Sequence, residues 1–174
     1  GYIHGGFGVG WPVLASIDKY NFSSETESTG IGDLTTTLRD NSGQSSTTHG
    51  YSSGGLVGSQ SNVIQKFSFS VDSNATDIGD LTIAVYGPAG QTSTTHGYSA
   101  HNAIIDKFPF ASDSNATDVG ALSTTGANTG AGQSSETYGY ASGAEPYSGP
   151  HGNVIDKYSF ASAGTATFVG NLTR

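Results

Sequence analysis

The sequence of 174 residues contains no cysteine and no methionine. Without thiols there is no disulfide framework, no thiolate zinc site and no cysteine nucleophile, and either redox compartment is compatible with the chain. Without methionine, Gly1 is expected to be a processed or fragment end. Charge is scarce at 11%, with 6 Lys+Arg against 14 Asp+Glu and a net of −8. A phosphate backbone is bound by clustered cations that release its counterions, and no cluster is present, so nucleic acid is excluded as a partner. An anionic membrane surface is disfavoured for the same reason. No apolar run approaches the length that crosses a bilayer, so no membrane insertion is expected, and no charged-then-apolar leader opens the chain. The apolar share is 34%, too little for a large helical core.

What is present is glycine (26), serine (25), threonine (20) and aromatic residues, namely 9 Tyr, 8 Phe and 1 Trp. The aromatics recur in register, which argues for burial rather than disorder. Ile-x-Lys-aromatic occurs at Ile17, Ile64, Ile105 and Ile155, and aliphatic-Gly-x-Leu at Ile31, Ile78, Val119 and Val169, always 14 residues later. Gly-Gln stands at Gly43, Gly90 and Gly132, and 7 residues beyond each is a Gly-Tyr pair, at Gly50, Gly97 and Gly139. Gly1-Tyr2 is the fourth pair, and the periods are 49, 47 and 42 residues. The repeat units are 1-49, 50-96, 97-138 and 139-174, within one domain.

Each unit reads as four short strands: Gly-Gln-x-Ser, the Gly-Tyr segment, the Ile-x-Lys-aromatic segment and the aliphatic-Gly-x-Leu segment. In residues 62–69, Val63, Phe67 and Phe69 alternate with Ile64 and Lys66, so both faces are apolar and both should be covered. No segment has helical apolar spacing. The predicted fold class is all-β: a β-propeller of four blade-like repeats with four-stranded antiparallel blades, each too poor in large side chains to bury a face alone. The chain opens at the second strand of a unit, so one blade is incomplete unless the chain is part of a longer one or another chain donates the strand; the fragment reading is preferred. An edge left open in this way would be sticky.

Gly-Tyr-x-x-Gly-Gly, a variable loop, aliphatic-x-Lys-aromatic and then the Asp-x-Gly-x-Leu region together resemble a divergent kelch repeat, over the whole chain. The double glycine stands at Gly5-Gly6 and Gly54-Gly55, becomes Gly143-Ala144, and is lost near His101-Asn102; the family's Tyr-Asp and Trp signatures are missing. The family's fold is a propeller of four-stranded blades. The Val-Ile-Asp-Lys type segments are also similar to repeats in large phage and bacterial structural proteins.

Segments of constant length are scaffold, and the variable ones are where binding is placed. From the Gly-Tyr tyrosine to the following isoleucine the distances are 15, 13, 7 and 15 residues. These loops and the connections between units are expected on one rim, which gives Phe7, Trp11, Tyr86, His101, Tyr147 and His151 as candidate ligand-binding residues. Packing over the ring end is the competing explanation for the aromatics. His49 and His96 hold a repeat position and read as structural, and no metal site is expected, since no carboxylate or second histidine stands at ligand spacing. Lys19, Lys66, Lys107 and Lys157 share one position; the preceding Asp18, Asp106 and Asp156 point to the opposite face, so bridges are expected between units. Asp72 to Asp77 and Asp113 to Asp118 gather oxygens, yet lack the glycine and distal glutamate of a calcium loop and read as Asx turns. Nucleophile elbows, phosphate loops and catalytic triads are not seen, no cofactor is expected, and no catalytic residue is assigned. The expectation is a non-catalytic recognition or structural module on an extracellular or virion surface, binding a glycan or protein receptor. The alternatives are a propeller glycoside hydrolase with axial carboxylates and a purely architectural spacer that meets other chains.

Overall fold

The computed structural model describes residues 1–123, 127–128, 130–143, 145–146 and 152–173. Eighteen strands and no helix are found among them. Sheet I comprises β1 (Tyr2–His4), β2 (Ser16–Lys19) and β3 (Thr29–Asp33) in that order. Sheet II contains β4 (Ser42–Ser45), β5 (His49–Ser53), β6 (Leu56–Val57), β7 (Ser59–Ser68) and β8 (Thr76–Val85), with β5 and β8 both paired to β7 and β6 folded back on the start of β7. Sheet III is β9 (Ala89–Thr92), β10 (His96–His101), β11 (Ile104–Pro109) and β12 (Thr117–Asp118). After β13 (Ala127–Asn128), sheet IV follows with β14 (Ala131–Ser134), β15 (Tyr138–Ser142), β17 (Val154–Ser159) and β18 (Thr167–Asn171); β16 (Glu145–Pro146) pairs with β13 outside it. All pairings within these sheets are antiparallel. The Gly-Gln strand therefore belongs with the Gly-Tyr strand after it, and sheet I has three strands among the described residues.

Two recurring motifs have local steric causes. The glycine of each Gly-Tyr pair lies beneath the aromatic ring of the neighbouring strand: a Cβ at Gly50 would overlap Phe67, at Gly97 Phe108, at Gly139 Tyr158 and at Gly1 Tyr20. The fixed offset of the aliphatic-Gly-x-Leu element comes from a β-bulge. Ile17 and Asp18 oppose Gly32 and Gly30, so Ile31 is the extra residue; Ile78 and Val169 occupy the same place opposite Ile64/Gln65 and Ile155/Asp156. Such a bulge redirects the strand and turns the extra side chain toward the core. Ile31 and Ile78 are accordingly buried, as are Leu34, Leu81 and Leu122.

The sheets stack face to face in series, and the core is divided accordingly. One apolar cluster joins Ile17, Ile31, Leu34 and Leu38 of the first unit to Phe67 and Ala75 of the second. Another joins Tyr51, Ile64, Ile78 and Leu81 to Phe108 and Ala116, and a third joins Tyr98, Ile105 and Leu122 to Tyr158 and Ala166. Both faces of sheets II and III are thus covered, since Phe67 and Ile64 enter different clusters. The four sheets do not close into a ring. Among the described residues, sheet IV still exposes the positions that sheets I and II bury: Val169 is 48% and Leu172 43% exposed, against 7% for Ile78 and 2% for Leu81.

Candidate functional site

Three interfaces repeat one set of contacts. The tyrosine of each unit lies on the aromatic pair of the next: Tyr2 stacks on Phe69 at 4.5 Å, Tyr51 on Phe110 at 4.7 Å and Tyr98 on Phe160 at 4.6 Å. The side-chain amide of Gln44 donates to the Tyr98 carbonyl and that of Gln91 to the Tyr140 carbonyl. The Tyr158 hydroxyl in turn donates to Gln91 Oε1 at 2.7 Å, and burial holds that phenol well above its usual range. Behind the double glycine, the largely buried His4 accepts from Asn41 Nδ2 at Nδ1, and burial lowers its imidazole to about 4.

Lys19 and Lys66 bridge units, as the alternation implies. Lys19 meets Asp72 at 2.9 Å and Lys66 meets Asp113. The hydrogen bond it donates to Asp72 raises the ammonium of Lys19 above its ordinary value. In the third interface Ala163 stands where Asp72 and Asp113 stand in theirs, and Lys107 lies 5.9 Å from the centre of the Tyr98 ring. The preceding acidic residues have a different partner. Buried Asp106 accepts the backbone N–H and the hydroxyl of Thr82, buried Asp156 accepts those of Ser123, and Gln65 Oε1 accepts those of Thr35. Reading the sequence missed this pairing, although a hydroxyl residue follows the leucine in all four units, as Thr35, Thr82, Ser123 and Thr173.

The Asp-Ser-Asn-Ala-Thr-Asp segments staple neighbouring sheets. Asn74 Oδ1 accepts the Asp33 N–H and Asn115 Oδ1 that of Asp80, while Asp77 and Asp118 close Asx turns on Gly79 and Gly120. Gly32 and Gly79 let these loops approach: a Cβ there would collide with backbone at Ser73 or Ser114. No group of three or more metal-ligating side chains occurs among the described residues.

Of the candidate binding residues, Phe7 and Trp11 come together. Their rings meet edge to face at 5.5 Å, with Arg39 5.4 Å from the centre of the Phe7 ring. The loop is closed by Gly8 N–H to Pro12 O and Trp11 N–H to Gly8 O, with Phe7 bridged to Val13. Gly5 and Gly6 enter it at φ of +66° and +95°, and Trp11 itself has φ of +71°. A non-glycine residue in the left-handed region is strained, and such strain concentrates where a side chain must be presented. Trp11 is 79% exposed. The connections between units contact these loops: Gly6 N–H bonds to Leu38 O, Arg39 pairs with Leu56, and Gly87 N–H bonds to Asp40 O.

Tyr86 is half-buried at the bend after β8. His101 does not lie in a rim loop. It ends β10, where a turn at Asn102 and Ala103 with positive φ at both residues joins β11, and its ring is wholly buried with Nε2 3.2 Å from Asp106 Oδ2. Tyr147 and His151 lie outside the described residues. Two concavities sit at the first unit: one of about 450 Å³ beside Tyr20, Phe22 and Glu27, and one of about 320 Å³ between the open edge of β1 and β4, lined by His4, Gly43 and Gln44.

The geometry defines a tandem array of antiparallel sheets with repeated polar and aromatic interfaces. No protein-family model matches the chain, and no curated protein matches it.

Proposed function

We propose that the chain is a non-catalytic recognition module, an arc of a kelch-like β-propeller whose rim loops bind a glycan. The carrying observation is the exposed Phe7–Trp11 pair with the Arg39 guanidinium beside it. Flat aromatic faces take the apolar face of a sugar ring, and a guanidinium offers a planar fork of donors to its hydroxyls or a carboxylate. The strain at Trp11 is supported by a rigid stack of sheets, which suits a presented side chain. The thiol-free, Ser/Thr-rich composition fits an extracellular or virion surface.

Trp11 is the sole tryptophan, so its fluorescence reports occupancy directly. A glycan array followed by titration is expected to give a saturable emission change in the unsubstituted chain, and calorimetry is expected to show that Trp11→Ala abolishes binding without altering the unfolding midpoint. Retention of no glycan across the array, or binding unaffected by Trp11→Ala and Arg39→Ala, would end this reading.

A further inference from the structure

Every internal interface joins a front face to a back face, and among the described residues sheet I leaves its back exposed and sheet IV its front. The back of each later unit offers an edge-to-face aromatic pair: Phe67–Phe69 at 6.1 Å, Phe108–Phe110 at 6.1 Å and Tyr158–Phe160 at 5.9 Å. The first unit has the same pair, Tyr20–Phe22 at 5.4 Å and 84°, without a tyrosine stacked on it among the described residues, and Phe22 is 85% exposed. The register of the repeats puts Asp18 at the place of Asp106 and Glu25 at the place of Asp72. The last unit carries the opposite half: Tyr140 at the place of Tyr98, Lys157 at that of Lys66, Thr173 at that of Thr82 and Gln133 at that of Gln91. Gln133 and Thr173 are exposed, whereas Gln91 is buried, and Val169 and Leu172 stand open beside them. Lys157 Nζ rests 4.0 Å from the centre of the Tyr138 ring instead of on a carboxylate.

From this complementarity we propose that the chain associates head to tail, the front of sheet IV docking on the back of sheet I of a second copy. Tyr140 would stack on Phe22, Lys157 would pair with Glu25, and Thr173 would donate to Asp18. Each is a contact already made inside the chain, with its charge and donor sense preserved. The interface is heterologous, so it yields a ring or an open filament rather than a two-fold dimer. It is independent of glycan binding, which uses the rim.

Sedimentation velocity over a concentration series tests it. The 174-residue chain is expected to form a concentration-dependent series of oligomers. Phe22→Asp, which blocks the back, and Lys157→Glu, which blocks the front, should each leave monomers, with circular dichroism and unfolding midpoint retained. An equimolar mixture of the two has one intact back and one intact front and should stop at a dimer. Adding Glu25→Lys to Lys157→Glu should restore the series. A wild-type chain that stays monomeric at its solubility limit would overturn the proposal, as would oligomers that persist in both variants or a mixture that gives no dimer.

Discussion

Asp106 on sheet III receives the backbone N–H of Thr82 on sheet II at 2.9 Å and its hydroxyl at 2.8 Å, with no water-accessible surface of its own. A buried carboxylate is tolerated where donors satisfy it, and removing it leaves those donors unpaired. Asp106→Ala is expected to cost about 3 kcal/mol in urea unfolding. Asp106→Asn should cost clearly less, because Gln65 holds Thr35 with an amide oxygen in the equivalent place. Equal losses would show that the carbonyl acceptor is not what matters.

Phe108 is wholly buried between sheets II and III, where its ring contacts Tyr51 and covers Gly97. Phe108→Ala should cost about 3 to 5 kcal/mol. Lys66→Gln removes a bridge to an exposed partner and should cost less than about 1 kcal/mol. Comparison of the two unfolding curves at one pH checks the ranking, which inverts if the ion pairs rather than the aromatic stacks hold the sheets together.

Acid should weaken the fold through His4. Its imidazole, at about 4 when folded, takes a proton near 6.5 when released. The unfolded chain therefore binds more protons between these values, so stability from this group is full above 6.5 and declines as the pH falls toward 4. The loss approaches on the order of 3 kcal/mol at the lower end. His4→Gln, which keeps an acceptor for Asn41, should flatten the pH dependence of the unfolding free energy across that window; an unchanged slope would place the acid sensitivity elsewhere.

Much of the array was legible in the residues because its causes are local or periodic. Gly-Tyr followed by an aromatic on the next strand encodes a ring lying on a glycine, and the constant spacing from Ile64 to Ile78 encodes a bulge in a fixed register. Alternation correctly sent Asp106 and Lys107 to opposite faces. It could not name their partners, because Asp72 for Lys19 and Thr82 for Asp106 depend on how one sheet is shifted over the next. His101 shows the same limit: its variable segment reads as an exposed loop, but a two-residue turn at Asn102-Ala103 keeps it on the strand and inside. Loop length singled out the segment that holds Phe7 and Trp11, but the approach of Arg39 to the Phe7 ring depends on the path of the chain between units.

Stacking in series is tested most directly by thiol pairs in this cysteine-free chain. Ser45 N–H donates to Thr92 Oγ1 across sheets II and III, and Thr92 N–H to Ser134 Oγ across sheets III and IV. Under mild oxidation of dilute monomer, the chain with Ser45→Cys and Thr92→Cys should cross-link, and so should the one with Thr92→Cys and Ser134→Cys. The chain with Ser45→Cys and Ser134→Cys should remain reduced, because sheet III lies between. A cross-link between positions 45 and 134 with none in the two adjacent pairs would contradict the order of the sheets and the account built on it.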